Sequence, residues 1–253
     1  MADREQLQTA KLLALEQAVA LEEAARATYR FRTIFPDEGA LRRELYVKHM
    51  AFFAAGAVHQ ERAFIAANRA GKTEAGTFET TTHLTGEYRR WWKGKRFETP
   101  ISAWAAGDTG KTTRDILQAK FLGEPTAIGT GMIPKHLIEH LTPKSGVPGA
   151  YETVWVKHVE RHHGAPCIST LNFKSYDQRR ESFQGTSQHV ILLDEECPED
   201  IYTECLIRCM ATGEFPGGIL MLTFTPLMGL TPVVLSFLPG GNMVEGEVVE
   251  VAA

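Results

Sequence analysis

The sequence predicts an α/β fold in which a mainly parallel sheet is flanked by helices and preceded by an N-terminal helical extension. Three observations carry that prediction. Short apolar runs alternate with helix-compatible segments along residues 58–235, the succession that builds helix-covered parallel sheets. The segment Ala66-Ala67-Asn68-Arg69-Ala70-Gly71-Lys72-Thr73 lies between one such run, Ala63 to Ala67, and a helix-compatible stretch, Thr73 to Thr82. The run Val190-Ile191-Leu192-Leu193 is too short for a helix, is rich in β-branched residues, and ends in Asp194-Glu195-Glu196.

The elements follow in order. Asp3 to Arg30 reads as one long helix, with Leu12, Leu15 and Val19 on a thin apolar stripe that suits packing on the core, the preferred reading, or an arm for a partner. Phe35-Pro36 breaks it, and Leu41 to Phe53 forms a second helix that Gly56 ends. Residues 1–57 are therefore the helical extension, 58–235 the core and 236–253 a tail. Beyond the first strand and its helix, Ile101 to Ala106 is a second strand and Thr113 to Phe121 a helix. The Gly/Pro/Thr-rich segment from Leu122 to Gly149 reads as connections around a short helix, Lys135 to Leu141. Val154 to Val159 and Cys167 to Phe173 form a strand pair turning at His163-Gly164. Asp177 to Gln184 and Pro198 to Met210 are helix-compatible, and Gly218 to Pro226 is another buried strand.

Strand, turn and helix is the order that a nucleotide phosphate needs. Successive backbone N–H groups of Ala66 to Thr73 wrap the anion, and the helix N-terminus adds its positive end. Lys72 reaches the β- and γ-phosphates, and the Thr73 hydroxyl ligates Mg²⁺. Alanine replaces the usual first glycine of this pattern, and Arg69 adds positive charge within it. Asp194 ends a parallel strand, where open α/β sheets put their ligands, and holds the Mg²⁺. Glu195, one residue on, points elsewhere and polarises the attacking water. Alone, an apolar run closed by acids is an ordinary buried strand with a wet end. Beside Gly71-Lys72-Thr73 it reads as half of an ATP-hydrolysing site. Thr223 and Thr225 arrive at a neighbouring strand tip, where hydroxyls sense the γ-phosphate or its water. Gln60 and Arg62 stand just upstream of the loop, which suits adenine-contacting groups and ordinary solvated residues equally.

A second stretch, Ala105 to Thr112, also ends in Gly-Lys-Thr. Its Asp108 would repel a triphosphate, whereas Asn68 and Arg69 would not. The first loop is therefore taken as the phosphate site and Asp108 to Thr112 as a neighbouring strand tip, with Asp108, Lys111 and Arg114 near the nucleotide.

Composition narrows the function classes. The formal charge is −4, from 27 basic and 31 acidic residues, so bulk charge supplies no argument for a nucleic-acid partner. Apolar runs stay shorter than a membrane span and no signal-peptide core opens the chain, which points to a cytoplasmic protein. Cys167, Cys197, Cys205 and Cys209 lack zinc spacing and read as reduced, partly buried thiols, although His162 and His163 lie near Cys167. Tyr88-Arg89-Arg90-Trp91-Trp92-Lys93-Gly94-Lys95-Arg96 combines cations with aromatic rings, as a nucleic-acid grip does. The preferred reading is a connection whose tryptophans plug the core while its charges stay wet.

These residues resemble the ATPase domain of tailed-phage terminase large subunits, the motors that package viral DNA. The resemblance rests on AANRAGKTEAG (66–76), SYDQRRESFQGTSQHVILLDEECPED (175–200) and TFTP (223–226), with YRRWWKGKRF (88–97) between them. It implies a P-loop ATPase of the additional-strand, catalytic-glutamate class. It places Lys72 and Thr73 in the Walker A motif, with Arg69 as the basic residue that many members carry there. Asp194 and Glu195 match the Walker B aspartate and catalytic glutamate, and Thr223, Phe224, Thr225 and Pro226 the coupling motif. It implies ATP and Mg²⁺ as cofactors, and double-stranded DNA, a portal protein and a small terminase subunit as partners. It also implies a ring on the portal, a monomeric isolated domain and a place in the host cytoplasm. A nuclease domain follows the motor in that family. After Pro226 this sequence has only Glu245, Glu247 and Glu250 as acids, so no nuclease activity is expected of it. Arg69 in cis, or Arg114, Arg179, Arg180 or Arg208 in trans, are the candidate transition-state arginines. A helicase-like P-loop enzyme and a non-hydrolysing assembly or DNA-binding module are the alternatives, with a small-molecule kinase behind them.

Overall fold

The computed structural model describes residues 11, 12, 14–17, 19 and 30–238. Seven strands form one sheet in the order β1-β7-β6-β2-β5-β4-β3. They are β1 (Glu61–Ile65), β2 (Ser102–Gly107), β3 (Ile138–Pro143), β4 (Tyr151–His162), β5 (Ala165–Ser175), β6 (Val190–Asp194) and β7 (Ile219–Phe224). The five strands from β1 to β5 in that order run parallel, and β4 and β3 extend the sheet antiparallel. One strand, β7, stands between the strand that leads into the loop and the strand that carries the acids. This is the additional-strand arrangement of a P-loop ATPase fold.

The helices are α1 (Arg30–Thr33), α2 (Val47–Ala55), α3 (Lys72–Thr85), α4 (Gly110–Thr112), α5 (Ala119–Leu122), α6 (Glu199–Cys209) and α7 (Pro232–Ser236). Strand alternation sorts the core into two layers. Ala103 and Ala105 of β2, Val190 and Leu192 of β6, and Ile219 and Met221 of β7 pack on one side with Ala75 and Phe78 of α3. Trp104, Ile191, Leu193, Leu220 and Leu222 pack on the other with Ile201 and Cys205 of α6 and Val234 of α7.

α3 is buried almost from end to end although it carries threonine at 77, 80, 81, 82 and 85. Four of those hydroxyls bond backwards, Thr77 to Thr73 O, Thr80 to Gly76 O, Thr82 to Phe78 O and Thr85 to Thr81 O, at 2.8, 2.8, 2.9 and 2.8 Å. A polar side chain that satisfies itself on its own helix can enter the core without an orphaned group. Gly76 lets α3 approach β6, since a Cβ there would meet Leu192 Cδ1 at 2.6 Å.

The preferred reading of the basic-aromatic segment holds for its rings and for three of its five cations; Arg89 and Lys95 are partly buried and donate to the Phe31 and Gly217 carbonyls. Trp92 is buried and stacks on Phe53 at 5.3 Å between centroids, and Trp91 stacks on Phe78 at 6.1 Å. Phe31 of α1 joins them on Phe78 at 5.5 Å, which ties the extension to the core. Such pairs each contribute about 0.5–1.5 kcal/mol beyond area burial. Arg90, Lys93 and Arg96 remain exposed.

Several expectations change. The helix expected over Asp3 to Arg30 lies largely outside the described residues; those described within it are helical, and Leu12, Leu15 and Val19 are exposed rather than packed on the core. The expected tail, 236–253, likewise falls mostly outside them. Lys135 to Leu141 is not one helix: a single 3-10 turn, Lys135–Leu137, leads into β3, because backbone pairing with β4 outweighs local propensity. Asp177 to Gln184 is two 3-10 turns, Tyr176–Gln178 and Arg180–Phe183, broken at Arg179 by a left-handed φ of 62°. Thr113 to Phe121 contains a π-helical turn, Thr113–Gln118, between α4 and α5. The β4–β5 hairpin turns at His163 and Gly164, both with positive φ (50° and 85°), as a two-residue loop of matching twist requires. No helix among the described residues is long and apolar enough to cross a membrane.

Candidate active site

β1 ends beside β7, with Ile65 opposite Phe224, and Asp194 of β6 lies opposite Thr223 of β7. The parallel pairing therefore delivers the loop, the acids and the two threonines to one edge of the sheet. Within the loop, Gly71 adopts φ 82° as the N-cap of α3, and a Cβ there would sit 2.9 Å from His49 Nε2. Glycine is what both the turn and the neighbour allow. Arg69 also takes a left-handed φ, 64°.

Lys72 is 7% exposed. Its ammonium donates to the Ala67 carbonyl at 2.9 Å and to Thr225 Oγ1 at 2.8 Å. Thr225 donates in turn towards the Ala66 carbonyl and Asn68 Oδ1, both at 2.9 Å. Thr73 and Thr223 both donate to Asp194 Oδ1, at 2.8 and 2.7 Å. Burial pushes the Asp194 carboxyl up to about 6, against the two hydroxyl bonds that favour its charged form. Glu195 is exposed beside it at φ 68°, its amide bonded to the Thr223 carbonyl at 2.9 Å. Ala66, Phe224 and Pro226 complete this edge, with the Ala66 amide on Phe224 O at 3.3 Å. Ala67 to Ala70 face solvent.

Two predicted site residues belong elsewhere. Arg62 is 5% exposed and forms an ion pair with fully buried Glu79, at 2.8 and 3.2 Å, while its guanidinium also donates to Phe52 O at 2.6 Å. Gln60, just before β1, donates to the Cys209 carbonyl at 2.5 Å. Both stand at the start of β1, at the far end of the sheet from the loop. Their side chains are committed there to protein partners; an upstream position in sequence became the opposite edge once the strand was extended.

The second Gly-Lys-Thr is occupied by the protein itself. Asp177 Oδ2 accepts from the Gly110 amide at 3.1 Å, and Thr109 caps α4 through Thr112 N at 3.2 Å. The Gly110 amide already holds an internal carboxylate, and the Thr109 and Thr112 amides are taken by threonine hydroxyls. Of the candidate arginines, Arg114 bonds Asp115 and Pro148 O, Arg180 pairs with Glu204, and Arg208 pairs with Glu204 and donates to Gly185 O. No side-chain bond of Arg179 occurs among the described residues, and it is exposed. The three deeply buried cysteines, Cys197, Cys205 and Cys209, are free thiols pushed upward by burial. No metal-holding group of His, Cys, Asp and Glu occurs among the described residues.

Two features had no signal in the sequence. A cavity of about 240 Å³ opens between the loop and the extension, lined by Phe35, Tyr46, His49, Arg69, Gly71 and Glu74. Tyr176 is buried with its hydroxyl against the main chain of Asp194 and Glu195.

A model of the large terminase subunit, T4-like-virus type, N-terminal part, matches residues 63–245. The terminase large subunit of Salmonella phage P22 is 36% identical over 208 residues, which cover 76% of this chain and 41% of that protein. The chain thus spans under half the length of that relative. The large terminase ATPase domain of Thermus phage P74-26 is 17% identical, with a TM-score of 0.47 over 72% of this chain and 65% of that one. The HK97 bacteriophage large terminase is 15% identical, with a TM-score of 0.46 over 77% and 34%. With the family model on most of its length and a relative at this identity, the chain belongs to the phage terminase large subunits.

Proposed function

We propose that this chain hydrolyses ATP to drive double-stranded viral DNA into a procapsid. The observation that carries the reading is the shared carboxylate oxygen: Thr73 of the loop and Thr223 of β7 converge on Asp194, with Lys72 beside them. Thr73 and Asp194 offer hard oxygen donors within one hydrogen-bond length, a donor set that fits Mg²⁺. Bound there, Mg²⁺ supplies charge neutralisation at the β- and γ-phosphate oxygens. Lys72 rests on two neutral acceptors, and charged phosphate oxygens outcompete those. Glu195 is next to the metal-holding residue, exposed to water, and orients the attacking water as general base. The cavity against His49 and Tyr46 takes the base or ribose. Of the four trans candidates, Arg179 has no side-chain bond among the described residues and is offered to a neighbouring copy in a ring assembled on the portal protein, with the small subunit as a further partner, while Arg69 stays in cis within the loop.

An ATPase assay with and without double-stranded DNA, paired with a strand-separation assay, tests this reading. The expected result is turnover that rises with DNA and no separated strands. Separated strands would favour a helicase-like enzyme, and absent turnover a non-hydrolysing module.

A further inference from the structure

Glu195 sits in a left-handed backbone conformation at φ 68°, which side-chain-bearing residues adopt only where the surroundings impose it. Its amide is held by the Thr223 carbonyl, but that bond fixes only one side of the turn. The other side is met by Tyr176. The phenol oxygen lies 3.0 Å from the Asp194 carbonyl and 3.3 Å from the Glu195 carbonyl, with the Ala106 carbonyl of β2 at 3.4 Å. One O–H is thus shared among acceptors from two neighbouring strand tips.

The tyrosine is itself tightly placed. Ser175 and Gln178 close a capping box around its 3-10 turn, and the Asp177 amide bonds the Asp108 carbonyl at the tip of β2. Asp177 also holds the Gly110 amide, so the turn joins the ends of β5, β2 and β6 to the start of α4. The ring packs in the same layer as Trp104, Phe183 and Cys197. A buried hydroxyl could have been satisfied by any of these elements. It is aimed at the two residues that hold the metal-binding and water-orienting carboxylates.

We propose that Tyr176 is a positioning residue for Glu195: its hydroxyl, donating to the main-chain carbonyls of Asp194 and Glu195, holds the turn that aims the Glu195 carboxylate. The proposal rests on the reading of Glu195 as the group that orients water. A carboxylate aimed by its backbone loses rate when the backbone relaxes, while nucleotide binding does not change: the loop lies on the far side of β7, and the Asp194 carboxylate keeps its bonds from Thr73 and Thr223.

The test compares Tyr176→Phe, Phe183→Leu and Glu195→Gln in steady-state ATP hydrolysis, Mg²⁺-ATP binding and thermal melting. Tyr176→Phe is expected to lower kcat about tenfold with nucleotide Kd within about twofold of wild type, the split that loss of a transition-state interaction gives. Phe183→Leu removes packing from the same layer without touching the hydrogen bond, and is expected to keep kcat. Wild-type kcat in Tyr176→Phe, or an equal loss in Phe183→Leu, overturns the proposal. A Tyr176→Phe chain that does not fold overturns it too, since the hydroxyl would then serve the fold and not the aim of Glu195. Glu195→Gln separates the two levels: if it retains wild-type turnover, the reading of Glu195 fails; if it is inactive while Tyr176→Phe is fully active, only the positioning fails.

Discussion

The hydroxyl of Thr73 donates to Asp194 Oδ1 at 2.8 Å, across 121 residues of sequence. One residue lies in the first turn of α3 and the other ends β6. Their meeting brings two local sequence patterns, each ambiguous alone, to one point where an ion can be shared.

The two Gly-Lys-Thr segments separate cleanly in this geometry. Lys72→Ala is expected to lower ATP turnover by about 100-fold or more, the scale on which a phosphate-stabilising cation acts. Lys111→Ala, at an exposed residue beside the Gly110 amide already bonded to Asp177, is expected to stay within about threefold of wild type. Parallel steady-state assays of the two variants check this. The reverse ranking would move the site to the second loop.

Arg62 is a residue of the core. Arg62→Ala leaves the buried Glu79 carboxylate without its guanidinium and with only His83 beside it, and is expected to destabilise the chain by about 3–5 kcal/mol. Adding Glu79→Gln should recover part of that loss. Denaturant unfolding of the single and double variants provides the check. A loss of ATP affinity with unchanged stability would restore Arg62 to the nucleotide site.

His83 is fully buried, and burial depresses its affinity for protons despite hydrogen bonding to Glu79. The unfolded chain therefore binds the proton more tightly, with a pKa of about 6.5, and stability is lost as pH falls below that value. Asp194, pushed up to about 6, works in the opposite direction over part of the same range. The comparison that isolates the histidine is thus between wild type and His83→Gln. Between about pH 7 and 5.5, wild type is expected to lose melting temperature relative to the variant. Parallel pH profiles would contradict the assignment.

Much of this architecture was legible in the sequence, and the residues show why. β1, the loop and α3 are contiguous, and so are β6 and its acids; apolar run, turn glycine and the candidate site side chains lie within a few residues of one another. What escaped depends on distant partners. β3 exists because β4 pairs with it. The fate of Arg62 was decided by Glu79, 17 residues away, and that of the second Gly-Lys-Thr by Asp177, 67 residues from Gly110. The role of Tyr176 depends on carbonyl groups, which no side-chain pattern encodes. The cavity beside His49 appears only when the extension folds back on the loop.

Among the four candidates for a trans arginine, Arg179 is the one whose removal should cost turnover without costing stability. Arg179→Ala is expected to reduce ATP hydrolysis in the assembled motor by about 1000-fold, as loss of a trans arginine does elsewhere, and to leave melting unchanged. Arg180→Ala and Arg208→Ala disturb the pairs with buried Glu204, and are expected to lower the melting temperature instead. Melting curves and turnover of all three variants, measured together, check the assignment.

The central claim is that the loop and β6 bind one Mg²⁺-ATP and that Glu195 acts on it. Its most direct test is Glu195→Gln, followed by Mg²⁺-ATP titration and single-turnover hydrolysis on the same preparation. Binding at the wild-type Kd and hydrolysis slowed by about 100-fold or more, the scale of general-base loss, are expected. Hydrolysis at the wild-type rate would contradict the claim.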